Sequence, residues 1–239
     1  MSKSSNFLAY FFLLLTVTFW AGNFIVGKFA SFYEVPPFSL NFYRWFFAWL
    51  ILSPFTIPEI LKNKNYIKEN YKLFLVLGVT SITIFNSIVY YSLNFTQVIS
   101  GVLMISTIPV MIMFISSILK IERTNIFQIL GVLFSFTGVI LIITKANLEI
   151  LKNLDFNKGD ITMVIAMFSW ALYSTLLKKQ TYKLSQLSLL QVIISFGLLF
   201  LIPIYFIEYQ LGFRIQLEKP FVMILSYVVL FPGLASFIL

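Results

Sequence analysis

The chain has 239 residues, is 59% hydrophobic and 11% charged, and carries a net charge of +8 with a mean hydropathy of +0.93. A soluble domain needs about 25% charged residues to cover its core, so this composition points to a protein whose solvent is the bilayer. The absence of Cys and His excludes disulfides, thiolate or imidazole metal sites, haem held by either ligand, and Cys or His catalysis.

Eight apolar segments follow in chain order, at 7–29, 38–57, 73–95, 98–119, 125–144, 161–177, 186–207 and 220–239. A transmembrane helix needs about 17–25 residues, so the spacing predicts an all-α polytopic membrane protein with eight transmembrane helices. The first segment outruns a signal-peptide core and lacks a small-x-small cleavage site, which reads as a retained helix. Connections are short: Asn94–Gln97 is a tight turn, and the largest, around 145–160, ends with Asp160 as the expected N-cap of the sixth helix.

Placing the N-terminus in the cytoplasm puts ten Lys and Arg inside (Lys3, Lys62, Lys64, Lys68, Lys72, Lys120, Arg123, Lys178, Lys179, Lys183). Six fall outside (Lys28, Lys145, Lys152, Lys158, Arg214, Lys219), and Arg44 lies within a span. Orientation follows this count, so the N-terminus is expected to be cytoplasmic, in a multi-pass protein of the cell (inner) membrane. The basic excess is spread over loops and forms no concentrated patch, so nucleic acid is not an expected partner.

Trp20-Ala21, with Lys28 eight residues after the Trp, recurs 150 positions later as Trp170-Ala171 with Lys178. Internal repeats of membrane helices are a common way to build a secondary transporter. Such a protein needs polar contacts near mid-membrane, and several candidates lie at that depth. At 1.5 Å per helical residue, Asn23 and Arg44 sit about 9 Å below the outer edge and Tyr90 about 7 Å. Asn86, Ser106, Thr107 and Trp170 come to about 12–14 Å, so all could line one cavity.

Arg44 is the sharpest candidate. A cation there costs about 2.5–3.5 kcal/mol, so it either faces an interior, holding a substrate carboxylate or phosphate, or snorkels to the headgroups. Asn41 shares its helix face. Trp20, Asn23 and Gly27 share another face, read as pore lining with Gly27 a hinge, or as helix packing; Trp170 and Tyr173 make the corresponding pair. Pro109 is an expected kink beside Ser106 and Thr107, whose hydroxyls can re-satisfy freed backbone groups, and Phe231-Pro232-Gly233 suggests a break in the last segment. Gln191 is a weaker inner-half contact. Gly131, Ser135 and Gly138 form a small-residue stripe expected to serve close helix packing. All nine acidic residues fall in loops or near segment ends, so no embedded carboxylate relay is visible.

Phe19-Trp20-Ala21-Gly22-Asn23-Phe24 through Lys28 resembles the drug/metabolite transporter superfamily, specifically its EamA-type members. Pro36-Pro37 ahead of Arg44, Tyr90-Tyr91-Ser92-Leu93 ahead of Thr96, Pro109, Ile121-Glu122-Arg123-Thr124 with Gln128, Gly131 and Gly138, and Gly159-Asp160 before Trp170-Ala171 fall in the order of that family. The resemblance implies ten helices in two inverted five-helix repeats. Positions 1–144 correspond to the first repeat, 145–160 to an outer-side linker, and 161–239 to three helices of the second, so the sequence is expected to be truncated. It implies a secondary transporter, an efflux protein and not an enzyme, exporting a small polar metabolite (amino acid, nucleoside or drug-like compound) by alternating access. Its partners would be that small molecule and the lipid bilayer, with no cofactor and no metal; proton or ion coupling and a homodimer stay open. The alternatives are a membrane-embedded lipid-modifying enzyme, whose usual catalytic groups are missing, and a non-transporting fragment or sensor.

Overall fold

The computed structural model describes residues 3–121, 125–144, 149 and 157–238, all of whose elements are helical. The helices are α1 (Lys3–Phe32), α2 (Pro37–Lys62), the short α3 (Lys64–Glu69), α4 (Tyr71–Ser92), α5 (Val98–Ile118), α6 (Ile126–Thr144), α7 (Lys158–Lys178), α8 (Gln186–Gln210) and α9 (Lys219–Ile238). The Glu122-Arg123-Thr124 turn, most of the 145–160 linker including Asn153 and Asp155, and Leu239 lie outside the described residues.

Among the described residues, six helices are long and apolar enough to cross a membrane: Phe7–Phe32, Tyr71–Ser92, Val98–Ile118, Lys158–Lys178, Gln186–Gln210 and Lys219–Ile238. The other two expected spans are also helical. Of these, α2 has 26 residues but is more polar, and α6 runs for 19 residues over Ile126–Thr144. Large side chains face outward along the helices, Phe55, Phe127 and Phe134 among them, as a lipid-facing surface requires.

Local chemistry fixes the ends. Pro36 and Pro37 sit at the N-cap and N1 of α2, where a missing N–H costs nothing. Ser185 caps α8 by accepting from the Ser188 amide. Asn157, not Asp160, is the N-cap of α7: its side chain accepts from the Asp160 amide while the Asp160 carboxylate accepts from the Asn157 amide. This capping box places the cap three residues upstream of the expected one. The chain leaves α1, α5 and α8 through left-handed residues Glu34, Lys120 and Gly212, each followed by an amide reaching back five residues to the helix.

Two apolar cores stack along the bundle. One gathers Phe24, Leu40, Val89, Met163 and Phe221; the other Trp45, Phe74, Leu77, Ile193 and Leu201. Helix α8 packs along α2 and crosses α4 where Gly78 meets Gly197: a Cβ on Gly78 would lie 2.6 Å from the Gly197 nitrogen. Only glycines permit this approach, and Thr83 Oγ1 donates to the Gly197 carbonyl at 2.8 Å across it. By contrast, nothing among the described residues lies within 4 Å of a Cβ on Gly131 or Gly138, so the expected close packing of that stripe does not occur there.

Two helices are interrupted by wide π turns, Val79–Phe85 in α4 and Leu230–Ala235 in α9. Shifted back by 150 positions, the second falls on 80–85, inside the first. Changing from i+4 to i+5 bonding leaves carbonyls without an amide, and a buried carbonyl in a bilayer must find another donor. Side chains supply them. Thr80 O accepts from Ser169 Oγ, Ser81 O from Asn86 Nδ2, and Ile82 O from Asn41 Nδ2, each at 2.8 Å. In α9, Pro232 O accepts from Ser236 Oγ at 2.9 Å and from Arg44 Nη2 at 3.2 Å.

Candidate functional site

Arg44 sits between these two turns with 3% of its surface exposed. The side chain points into the bundle and not toward the headgroups. Its Nη1 donates to Asn86 Oδ1 and Tyr90 Oη, both at 2.8 Å, and to Asn23 Oδ1 at 3.3 Å. Tyr90 passes its own proton to Asn23 Oδ1 at 2.8 Å, so its oxygen is free to accept from the guanidinium. The guanidinium carbon lies 4.8 Å from the centre of the Trp45 ring, adding a cation–π contact. Among the described residues, no carboxylate lies within ion-pair distance of Arg44, so neutral dipoles alone solvate this cation.

A cavity of about 90 Å³ opens beside this network, lined by Trp20, Asn23, Arg44, Asn86, Trp170, Tyr173 and Pro232 among others. Seven of the residues singled out from the sequence therefore share one wall system drawn from α1, α2, α4, α7 and α9. The two repeated tryptophans meet edge to face at 6.2 Å, and Trp20 Nε1 donates to Ser236 Oγ at 3.0 Å. Phe85 and Tyr173 lie 4.5 and 5.0 Å from the Trp170 ring. The cavity thus has one charged wall and one aromatic wall.

The remaining candidates lie elsewhere. Tyr90 touches the cavity network only through its hydroxyl. Asn41 faces the π turn of α4, bonding Ile82 O and Ser87 Oγ at 2.8 Å each. Ser106 and Thr107 donate to their own backbone, at Leu103 O and Met104 O, where a 3₁₀ turn over Ile105–Thr107 precedes Pro109. Gln191 Nε2 reaches Ser53 Oγ and Trp49 O, tying α8 to α2. Gly27 lies under Tyr90 and Leu93, its absent Cβ position 2.8 Å from Leu93 Cδ1, so it lets α1 approach α4.

A second, larger cavity of about 890 Å³ lies at the Pro36 end of the bundle, lined by Glu34, Tyr91, Asn94, Glu208, Arg214 and Glu218 among others. Its notable group is Glu208, buried at the end of α8. The carboxylate accepts from the Phe38 amide at 3.2 Å and from the amide and hydroxyl of Ser39, both at 2.6 Å. Pro36 and Pro37 offer no N–H, so Phe38 and Ser39 present the first free amides of α2, where helix dipoles favour an anion. The Pro-Pro start is the sequence signal that some acceptor must arrive; only the fold shows that it comes from residue 208. Glu208 is near a segment end, as read from the sequence, yet its side chain is buried.

At the opposite end, Glu59 accepts from the Ser185 amide at 2.7 Å, from Ser185 Oγ, and from Ser188 Oγ at 2.6 Å. These bonds, led by the Ser185 hydroxyl, hold its carboxyl below the ordinary value. Among the described residues no cluster of acidic side chains could hold a metal.

The geometry defines a polytopic helical membrane protein with a sealed cation and a small cavity between its helices. Residues 7–144 match the EamA-like transporter family. An uncharacterized transporter of Archaeoglobus fulgidus is 30% identical over 201 residues, 83% of this chain and 67% of the relative. The uncharacterized transporter YyaM of Bacillus subtilis (strain 168) is 28% identical over 167 residues, 70% of this chain and 54% of the relative. No solved structure matches. The chain belongs to the EamA-like transporter family and is a multi-pass membrane transporter.

Proposed function

We propose that the chain is a secondary transporter that exports a small polar metabolite by alternating access, with the Arg44 cavity as its substrate site. The observation that carries this is the Arg44 network, which joins α1, α2, α4 and α9 around one cavity. A buried cation in a membrane helix is costly and is retained where it serves a pathway. In this reading positions 1–144 and 161–239 belong to inverted repeats, the N-terminus is cytoplasmic and the protein sits in the inner membrane. The common 150-residue offset of Trp20 with Trp170, and of the two π turns, supports the repeat. Substrate would exchange between the two faces as the bundle opens alternately toward each.

The test is transport in cells and in proteoliposomes. Arg44→Ala is expected to abolish transport of a metabolite that the parent moves, while membrane expression persists. Unchanged transport by Arg44→Ala would remove the cavity from the pathway.

A further inference from the structure

We propose that the substrate is an organic anion whose carboxylate docks on the Nε–Nη2 edge of Arg44. The proposal rests on the transport reading above and adds the charge and docking geometry of the substrate.

A guanidinium has five N–H donors in two usable faces. The Nη1 end is consumed by Asn23, Asn86 and Tyr90. The other edge is nearly idle: Nη2 makes one 3.2 Å bond to Pro232 O, and Nε, though buried, has no hydrogen-bond partner. Two parallel donors along this edge match the two oxygens of a carboxylate, the geometry that makes such pairs strong. Gly233 lies against this flank with no side chain of its own. A Cβ there would lie 3.7 Å from Nε, and also only 2.8 Å from Val228 O, so no side chain intervenes.

Charge points the same way. Among the described residues, the cavity wall holds one cation and no carboxylate. An anion would neutralise Arg44 in a low-dielectric site; a neutral isostere would gain only dipolar contacts, and a cation would be repelled. Trp20, Trp170 and Phe85 would take the hydrocarbon body. At about 90 Å³ the cavity suits a short acid and is well below the roughly 300–1,000 Å³ of drug-sized pockets.

The test uses the purified full chain in nanodiscs and three matched probes: butanoate, butanamide and butylammonium. Trp20, Trp45 and Trp170 line the cavity, so intrinsic fluorescence reports occupancy. Butanoate is expected to give a saturable change, butanamide to bind at least about tenfold more weakly, and butylammonium not at all. Arg44→Gln should remove the butanoate response, and Arg44→Lys, which keeps the charge but not the planar edge, should weaken it about tenfold or more. The three-probe comparison on the parent needs no variant, so a folding defect at position 44 does not blunt the test. Equal binding of butanamide or butylammonium, or no saturable response to butanoate, overturns the proposal. Proteoliposome exchange separates the two ideas. Transport of neutral or cationic metabolites but no carboxylate leaves the transporter reading standing and sinks the anion. Arg44-dependent butanoate binding without transport of any compound does the reverse.

Discussion

Replacing Gly78 by Ala tests whether the α4–α8 crossing sets the geometry of the Arg44 network. The new methyl would lie 2.6 Å from the Gly197 nitrogen, 2.7 Å from the Ile193 oxygen and 3.0 Å from the Phe196 carbonyl carbon. All three are backbone atoms of a regular helix, so no rotamer change relieves the clash. Restoring an ordinary 3.4 Å contact requires the helices to part by about 0.8 Å. Overpacking of this kind costs about 1–3 kcal/mol, and the rigid backbone wall argues for the upper half. Better helix propensity returns up to about 1 kcal/mol, leaving a net loss of about 2 kcal/mol. For a chain of this size that lowers the melting temperature by about 4–8 °C. Because Asn86 follows on the same helix, the Arg44–Asn86 bond of 2.8 Å should stretch and transport should fall as well. Thermal melting in detergent, followed by tryptophan fluorescence, measures the first effect, and Gly131→Ala is the control. Nothing among the described residues lies within 4 Å of that site, so Ala there should be neutral or stabilising. A Gly78→Ala protein melting within about 1 °C of the parent would mean that the crossing accommodates the methyl, since the expected loss is several-fold larger.

Two further outcomes are expected. Glu208→Ala leaves the Phe38 amide and both Ser39 donors without their acceptor; water entering the adjacent cavity offsets part of the loss, for a net cost of about 2–3 kcal/mol. Hydrogen exchange should quicken at Phe38 and Ser39 before the rest of α2, and unchanged protection there would contradict the capping role. For Glu59 the folded-state carboxyl titrates below the ordinary 4.5, so its contribution is present above that value and is lost as pH falls through the lower folded value. Protection of the Ser185 amide, corrected for intrinsic exchange, should therefore drop only in acid below 4.5, and Ser188→Ala should move the drop toward higher pH.

The helices were legible because a bilayer leaves one strong signal, long apolar runs, and segments such as 98–119 and 186–207 fall within a few residues of α5 and α8. Depth put Trp20, Asn23, Arg44, Asn86 and Trp170 at neighbouring levels, and the fold sets these five around one cavity. Direction was harder. Asn41 lies on the same face as Arg44 by spacing, but the π turn of α4 places a bare carbonyl at Ile82 that claims its amide. Ser106 and Thr107 have the right depth yet answer to their own backbone beside Pro109. The Pro36-Pro37 start marks a need for an acceptor, but not that Glu208 meets it, because the partner lies 169 residues away from Ser39.

The two π turns carry a consequence for energy coupling. Pro232 O takes one of its two hydrogen bonds from Arg44 Nη2, the group proposed to meet the substrate. A ligand that pulls the guanidinium toward itself through the second N–H of Nη2 would lengthen the bond to α9, leaving Ser236 to carry more of the carbonyl's satisfaction. Occupancy of the cavity and the shape of α9 are then reciprocal variables: whatever straightens the turn changes affinity, and whatever binds changes the turn by the same free energy. One arginine bond would make the last helix a reporter of cargo.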